Sequence, residues 1–316
     1  MRASYDLTAS PSLIALDWGT SSLRAVLLDE NGIALDAHEE PWGIMRVPDG
    51  TFAAAFDAMT TQWRMGRPRL RAIAAGMIGS AQGWMPAPYC EAPAGAAELA
   101  ASLIAVPDAA LHIVPGVAKY GEQPDVMRGE ETQIVGVLAL HPLLATRSLL
   151  VLPGTHSKWV HVHEGKVADF TTFMTGELFA VLREHSILGR FVKDDDDDAD
   201  PTVKEEAFAR GVAIAQQSSR GMASTLFTAR SMVLTQRLAA GMSVEYLSGL
   251  LIGEELRCGL ADGAVPAALV GDAILCRRYA AALRMFGICD VPIIHGAAQR
   301  GLWSIAQHAG LIPTAS

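Results

Sequence analysis

The stretch Asp17-Trp18-Gly19-Thr20-Ser21-Ser22 places a carboxylate, a glycine and three hydroxyls within six residues. These types suit a triphosphate. Glycine lets backbone N–H groups approach phosphate oxygens, hydroxyls donate to the same oxygens, and an acid can hold a hydrated Mg²⁺. A plainer alternative stays open, because an Asp beside a Gly/Ser/Thr turn commonly caps that turn with its own hydrogen bonds. The flanking apolar runs from Leu13 and from Leu23 to Leu28 predict a buried strand, a tight hairpin and a second strand that leads to a turn at Gly32.

The pattern then repeats. Ser148–Leu152 reads as a buried strand, followed by Pro153-Gly154-Thr155-His156-Ser157-Lys158, a second strand over Trp159–His163, a Glu164-Gly165 turn and a third strand over Lys166–Phe173. In the first copy the third strand is Gly32–Glu39. Each copy runs strand, Gly-Thr-x-Ser, a cation within two residues, strand, glycine turn, strand. The turn glycine follows at 13 residues from Gly19 to Gly32 and at 11 from Gly154 to Gly165. Two such hairpins, each opening a β-β-β-α-β-α half, predict a duplicated α/β domain with a nucleotide between the halves.

The remaining elements must carry these hairpins. Phe52, Phe56, Met59 and Trp63 share one helical face, which predicts a helix over 51–65. A strand over Ala72–Met77 runs into the glycine-rich segment Gly76–Trp84. An Ala-rich helix follows over 95–105, then a strand over Leu111–Val114 stopped by Pro115-Gly116. Glu130–Leu140 predicts a helix with acids at its N-terminal end, where the helix dipole favours them. The second half predicts helices over Glu177–His185, Lys204–Gln217, Gly221–Ala239 and Ser243–Leu260, the last capped by Ser243. A strand over Ala267–Val270, a helix over Ala273–Phe286 stopped by Gly287, a strand over Val291–His295 and a small-residue helix from Gly296 to about Gln307 complete it. Residues 188–203 carry the least pattern and are expected to form a mobile loop.

Bulk composition narrows the function classes. The chain has 316 residues, half of them hydrophobic, enough for two cores. Its net charge is −9, yet removing the six aspartates at 194–198 and 200 leaves −3, so the acidity is mostly local. No basic footprint supports a nucleic-acid partner. The aspartate run is expected to be a solvated loop. No uninterrupted apolar window reaches 18 residues and the first eleven lack an apolar core, so neither a membrane span nor a signal peptide is expected. Cys90, Cys258, Cys276 and Cys289 have no zinc-ligand spacing and are expected to be reduced core thiols of a cytoplasmic protein. A homodimer is left open.

These motifs resemble those of a known family. The duplicated hairpins resemble the phosphate-1 and phosphate-2 loops of the actin, sugar-kinase and heat-shock-ATPase superfamily. The finer resemblance is to the 2-dehydro-3-deoxygalactonokinase family. It is carried by Asp17-Trp18-Gly19-Thr20, Gly76-Met77-Ile78-Gly79-Ser80, Gly83-Trp84 with Ala87-Pro88-Tyr89, and Val126-Met127-Arg128-Gly129-Glu130-Glu131-Thr132-Gln133. Further along the chain it rests on Pro153–Val160, Met174-Thr175-Gly176-Glu177-Leu178 and Tyr246–Gly253. The resemblance implies two RNase H-like domains of the actin-like ATPase fold, 12–145 and 146–296, around a central interdomain cleft, with a helix over 297–309 packing back onto the first. It implies ATP-dependent phosphorylation of the 6-hydroxyl of 2-dehydro-3-deoxy-D-galactonate, a step in galactonate breakdown.

Within that resemblance, Asp17 is the expected Mg²⁺ site. Gly19, Thr20 and Ser21 are expected on the phosphates from one side, and Gly154 and Thr155 from the other. Arg24 and Lys158 follow the two hairpin tips as phosphate or substrate contacts, with a strand-surface cation as the alternative for each; His156 lies in the second loop. Related sugar kinases place an Asp at the start of the linking helix, where this chain has a Glu pair. Glu130 is therefore the expected general base and Glu131 its reserve, against the alternative that both only favour a helix start. A sugar acid needs cations and N–H donors, which points to Arg46, Arg128 and the Gly79-Ser80 backbone, with Trp84 and Tyr89 as a wall. Glu177 is expected to border the cleft or simply to open a helix. Gly271-Asp272 resembles the superfamily's adenosine segment, with an N-cap as the alternative for Asp272. Gly249 and Gly253 are candidates for helix packing or nucleotide contact.

Overall fold

Residues 10–67, 69–191 and 200–312 are described in a computed structural model of the chain. The aspartate run at 194–198 and most of the N-terminal eleven residues lie outside them. β1 (Pro11–Trp18) is apolar from Leu13 to Leu16 because sheet neighbours and helices cover it. It pairs antiparallel with β2 (Leu23–Asp29), which pairs antiparallel with β3 (Ala34–Glu40). The register sets Asp17 opposite Arg24 and Arg24 opposite Glu39, so three charged residues form one row across the strands. α1 (Phe52–Arg64) buries Phe56, Met59 and Trp63, the stripe its spacing predicts. β4 (Arg71–Ala75) then joins β1 in parallel, with Ala75 beside Asp17.

β5 (Tyr89–Glu91), α2 (Ala96–Ala101), β6 (Ile104–Ala105), β7 (Leu111–Ile113), β8 (Gly116–Lys119), β9 (Asp125–Met127) and α3 (Glu130–Leu140) follow. The main sheet has the order β3-β2-β1-β4-β7-β6, and a small separate sheet has the order β5-β8-β9. The structure departs from two expectations in this half. The Ala-rich helix ends at Ala101, and Ile104-Ala105 instead pair antiparallel with β7. Pro115-Gly116 does not end strand structure, because the chain changes sheets there. Gly116 donates its N–H to Pro88 O (3.1 Å) and begins β8, where a Cβ would lie 2.5 Å from Met127 O and from the Tyr89 ring.

The second hairpin unit consists of β10 (Arg147–Leu152), β11 (Ser157–His163) and β12 (Lys166–Phe173). α4 (Thr175–His185), α5 (Pro201–Gln217), α6 (Met222–Thr225), α7 (Thr228–Leu234), α8 (Ser243–Gly259), β13 (Ala268–Val270), α9 (Ala273–Met285), β14 (Ile293–Ile294) and α10 (Ala297–His308) complete the described chain. The sheet order is β12-β11-β10-β13-β14, with β13 parallel to both β10 and β14. Both sheets thus place three consecutive strands in reverse order and then add two parallel strands, the RNase H-like arrangement expected of each half, with the antiparallel β6 at the edge of the first. The helix expected over Gly221–Ala239 is two short helices broken at Leu226-Phe227. Ser243 is no cap: the 3₁₀ turn Ala240–Met242 runs directly into α8, and the Ser243 hydroxyl is buried inside the first turn. Cys276 is buried and Cys90 half-buried, but Cys258 and Cys289 are exposed, so the expectation of four core thiols fails for two.

The chain divides into two compact units. One holds the described residues up to Ser148, Val160–Phe170 and those from Gly296 onward; the other holds Leu149–Trp159 and Thr171–His295. In the first unit α10 packs on α3 at backbone contact. A Cβ on Gly136 would lie 1.8 Å from Ala297 O, and one on Gly301 would lie 1.8 Å from Thr132 O. Gly136→Ala is therefore expected to lower stability by about 1–3 kcal/mol, the usual penalty for overpacking. Urea unfolding checks this, and an unchanged midpoint would mean that the two helices do not meet there. Among the described residues, no helix is long and apolar enough to cross a membrane.

Candidate active site

The first hairpin is closed by Gly19 N–H donating to Ser22 O (3.0 Å). The chain at Trp42–Ile44 lies directly against it: Ile44 N–H donates to Gly19 O (3.0 Å), Trp18 Nε1 donates to Trp42 O (2.8 Å), and a Cβ on Gly43 would stand 2.1 Å from Thr20 O. Thr20 and Ser21 remain exposed at the tip. Asp17 and Arg24 lie at a concavity of about 100 Å³, bordered also by Val26, Gly296 and Gln299. Asp17 is open to solvent on one side and crowded by protein on the others. The crowding dominates: lost hydration raises its pKa above the usual carboxylate value, Arg24 pulls it back, and Glu130 and Glu39 push it further up. Arg24 itself is bound to Glu39 through Nε (3.2 Å) and Nη2 (2.7 Å), an exposed cross-strand pair of small energetic weight.

Two glycines bring the start of α3 toward Asp17. Gly76 follows β4 at φ +97°, where a Cβ would lie 2.7 Å from Trp18 O and 3.6 Å from an Asp17 carboxylate oxygen. Gly129 has φ +107°, and its Cβ would stand 3.4 Å from Gly76 Cα. Both need the left-handed region that glycine alone enters freely. Glu130 is half-buried at the first position of α3, with Oε2 accepting from Arg128 N–H (3.1 Å). Glu131 points the other way. It is 1% exposed, Oε2 accepts from Gly129 N–H (2.6 Å), and Oε1 accepts from the Thr132 hydroxyl (3.1 Å). Burial first, and the Glu130 charge second, push its pKa to about 8.

This sets a sign for pH dependence. The folded chain holds the Glu131 proton up to about pH 8, while the unfolded chain releases it near the ordinary value of 4.5. The native state binds more protons across that window, so the contribution of Glu131 to stability falls as pH rises from 4.5 toward 8. Glu131→Gln is expected to flatten that fall and to be more stable than the parent at pH 8.5, by a margin on the order of a few kcal/mol. Parallel denaturation curves at pH 5.5 and 8.5 measure it; equal slopes in the two proteins would refute the assignment.

Of the expected sugar-acid residues, the structure brings Arg128, Gly79 and Tyr89 together. The Arg128 guanidinium lies 4.4 Å over the Tyr89 ring, and Nη2 donates to Ala87 O (2.8 Å) and more weakly to Pro88 O (3.4 Å). Its Nε and Nη1 are buried without a hydrogen-bond partner, and a Cβ on Gly79 would press on Nη1 at 2.8 Å. Ser80 caps the same turn by accepting from Gln82 N–H (3.3 Å). Trp84 stacks on Phe52 and meets Trp18 edge-on, so one of its faces belongs to the aromatic core. Arg46 stands apart: it is exposed, and among the described residues its guanidinium has no hydrogen-bond or ion-pair partner.

In the second unit the hairpin is tied to the start of α4. Glu177 N–H donates to Thr155 O (3.0 Å), the His156 Nε2 and a Glu177 carboxylate oxygen share a short hydrogen bond, and a Cβ on Gly176 would stand 2.5 Å from Gly154 O. Thr155 and His156 are exposed. Lys158 is 3% exposed and its Nζ donates to His156 O (3.1 Å), so it braces the hairpin from beneath. Asp272 is an N-cap: its carboxylate accepts from Ile274 N–H (3.0 Å) and Leu275 N–H (2.9 Å). Gly271, at φ +134°, donates its N–H to Ile294 O (3.3 Å). Gly249 and Gly253 serve helix packing, since their Cβ atoms would meet the α5 backbone at 2.1 Å (Phe208 O) and 3.0 Å (Val212).

Sequence reasoning missed a concavity beside this hairpin. A concavity of about 460 Å³ within the second unit is lined by Thr155, Gly176, Phe179, Ser248, Leu275 and Arg278, among others. Arg278 pairs with Glu245 (2.8 Å) and lies 4.4 Å over the Phe208 ring. A partial signal existed, since α9 follows the Gly271-Asp272 cap and its first two turns supply Leu275 and Arg278.

The 2-keto-3-deoxy-galactonokinase family pattern matches residues 17–305. The 2-dehydro-3-deoxygalactonokinase of Escherichia coli (strain K12) is 36% identical over 93% of this chain and 97% of its own length. A protein of Rhizobium meliloti (strain 1021) named as a probable 2-dehydro-3-deoxygalactonokinase is 36% identical over 95% of this chain and its whole length. The crystal structure of a Sinorhizobium meliloti protein described as a candidate 2-dehydro-3-deoxygalactonokinase superposes with a TM-score of 0.83 at 36% identity, covering 93% of this chain and 98% of that one. The chain belongs to the 2-keto-3-deoxy-galactonokinase family.

Proposed function

We propose that this protein transfers a phosphoryl group from Mg²⁺-ATP to the 6-hydroxyl of 2-dehydro-3-deoxy-D-galactonate. Beyond family membership, one observation supports it most: Gly76 and Gly129 bring a polar, half-buried Glu130 to the same end of the sheet as the crowded Asp17. Phosphoryl transfer asks for positioning and charge neutralisation, and for one carboxylate to take the acceptor's proton. Glu130 has the placement for that base. Glu131 lacks it, because its carboxyl is buried against Gly129 and Thr132.

Asp17 fits a divalent cation. Its pKa is raised by lost hydration and by the nearby Glu130 charge, and a cation relieves both. Among the described residues no group of three His, Cys, Asp or Glu side chains could hold a metal, which suits Mg²⁺ bound by one carboxylate, waters and phosphate oxygens. Bound there, Mg²⁺ would neutralise phosphate charge. In the second unit the Gly154–Thr155 hairpin offers backbone N–H groups and a hydroxyl to phosphates, and the 460 Å³ concavity beside Thr155 has the size and partly apolar lining for a nucleoside. Arg128 shapes the sugar-acid pocket together with Tyr89 and the Gly79 turn.

The test is turnover. Purified protein, Mg²⁺-ATP and a panel of sugar acids, read by ADP release, should show 2-dehydro-3-deoxy-D-galactonate as the preferred acceptor. A different sugar acid or a polyol as best acceptor would keep the scaffold and replace the substrate. Slow ATP hydrolysis indifferent to every sugar acid would identify a nucleotide-dependent sensor instead.

A further inference from the structure

The second unit is built around one carboxylate that the hairpin repeat does not contain. Glu255, on α8, is 1% exposed. Its Oε1 accepts from the Ser157 hydroxyl (2.7 Å) and from Trp159 Nε1 (2.8 Å); its Oε2 accepts from the Tyr279 hydroxyl (2.6 Å) and, in a short bond, from the Thr175 hydroxyl. Burial raises the Glu255 pKa, and the four donors oppose that rise. Such a saturated buried carboxylate is a poor device for stability alone, because well-packed apolar residues commonly serve as well or better. Its value lies in direction, since four donors on two oxygens fix where their owners stand.

Those owners are the parts that must agree if a nucleotide is to be held. Ser157 and Trp159 begin β11, directly after Gly154-Thr155. Thr175 opens α4, next to the Gly176 that packs on Gly154 O. Tyr279 belongs to α9, and both Thr175 and Tyr279 line the 460 Å³ concavity. We infer that Glu255 is a positioning residue for nucleotide: it locks the phosphate hairpin to two walls of the concavity, so that phosphate and nucleoside contacts share one geometry. This rests on reading the concavity and its hairpin as the nucleotide site.

Glu255→Gln keeps the shape but turns an NH₂ group toward donors. In the folded variant, checked by circular dichroism, KM for ATP should rise about tenfold or more while KM for the sugar acid stays within about twofold. Ser157→Ala removes one donor without lining the concavity. It should raise the ATP KM by a smaller factor, and the double variant should fall short of the product of the two effects. A role in stability alone would lower the melting temperature and leave both KM values in place. An ATP KM within about twofold of the parent in the folded variant, or an equal rise for both substrates, overturns the inference. Should Glu255→Gln not fold, Ser157→Ala decides by the same comparison, any ATP-selective rise supporting the inference and none overturning it. Direct titration of the parent with a non-hydrolysable ATP analogue separates the two levels. A parent that takes up no nucleotide refutes the nucleotide site itself, whereas equal uptake by parent and Glu255→Gln refutes only the part assigned to Glu255.

Discussion

Glu130→Gln is expected to lower kcat by roughly a hundredfold or more and to leave ATP affinity within about twofold, because the variant loses a base and little else. The amide oxygen can still accept the Arg128 N–H bond that Glu130 Oε2 accepts at 3.1 Å. Side-chain size and the N-terminal position on α3 also stay the same. What disappears is the lone pair that takes the hydroxyl proton, a contribution of roughly 10²–10⁴ in rate for a well-placed base. The neighbouring substitution is the control. Glu131 has its carboxyl pushed to about 8, so it is mostly protonated at neutral pH and Gln imitates its native form. Glu131→Gln should therefore keep kcat within about a fewfold at pH 7. Single-turnover measurements on both variants at saturating ATP check the contrast. Near-normal turnover in Glu130→Gln would remove it as base, and a large loss confined to Glu131→Gln would transfer the role.

That contrast also shows how far the sequence could be read. Both hairpins, the six strands around them and the limits of α3 follow from local signals: apolar runs of strand length, glycine turns, and acids at a helix start. These hold because each needs only neighbours in the chain. The difference between Glu130 and Glu131 was partly legible too. Ile134 and Val135 are buried, and a helix puts residues three and four positions earlier on the same face, which selects Glu131 for the core. The Glu255 network was not legible, because its donors lie 24 to 98 residues away and no periodicity links them. The small sheet β5-β8-β9 escaped for a similar reason, its strands being three or four residues long and dispersed around proline and glycine. Lys158 and Arg24 share a place in the repeat but not a surrounding. One is buried under its hairpin and the other is exposed and paired with Glu39, a difference fixed by the layers packed around each.

Asp17→Asn should lose roughly 10²–10³ in kcat, the scale of removing one group that stabilises charge during reaction, and should demand more Mg²⁺ for half-maximal rate. The same variant should melt no lower than the parent at neutral pH, and higher if anything. The sign follows from the surroundings of Asp17. Its pKa is raised by lost hydration and by Glu130 and Glu39, against the single opposing pull of Arg24, so the ionised carboxylate is less favoured in the folded chain than in the unfolded one. That contribution is unfavourable above the raised pKa and fades as pH falls toward the ordinary carboxylate value, and an amide removes it. A turn-capping Asp predicts the opposite pair of results: lower stability, since caps typically contribute about 0.5–2 kcal/mol, and unchanged Mg²⁺ dependence. No hydrogen bond from Asp17 to the Gly19–Ser22 turn supports that alternative, for the turn is closed by its own backbone at 3.0 Å. Rate against Mg²⁺ concentration and a thermal melt on one preparation therefore decide between metal site and cap, because the two roles move both observables in different directions.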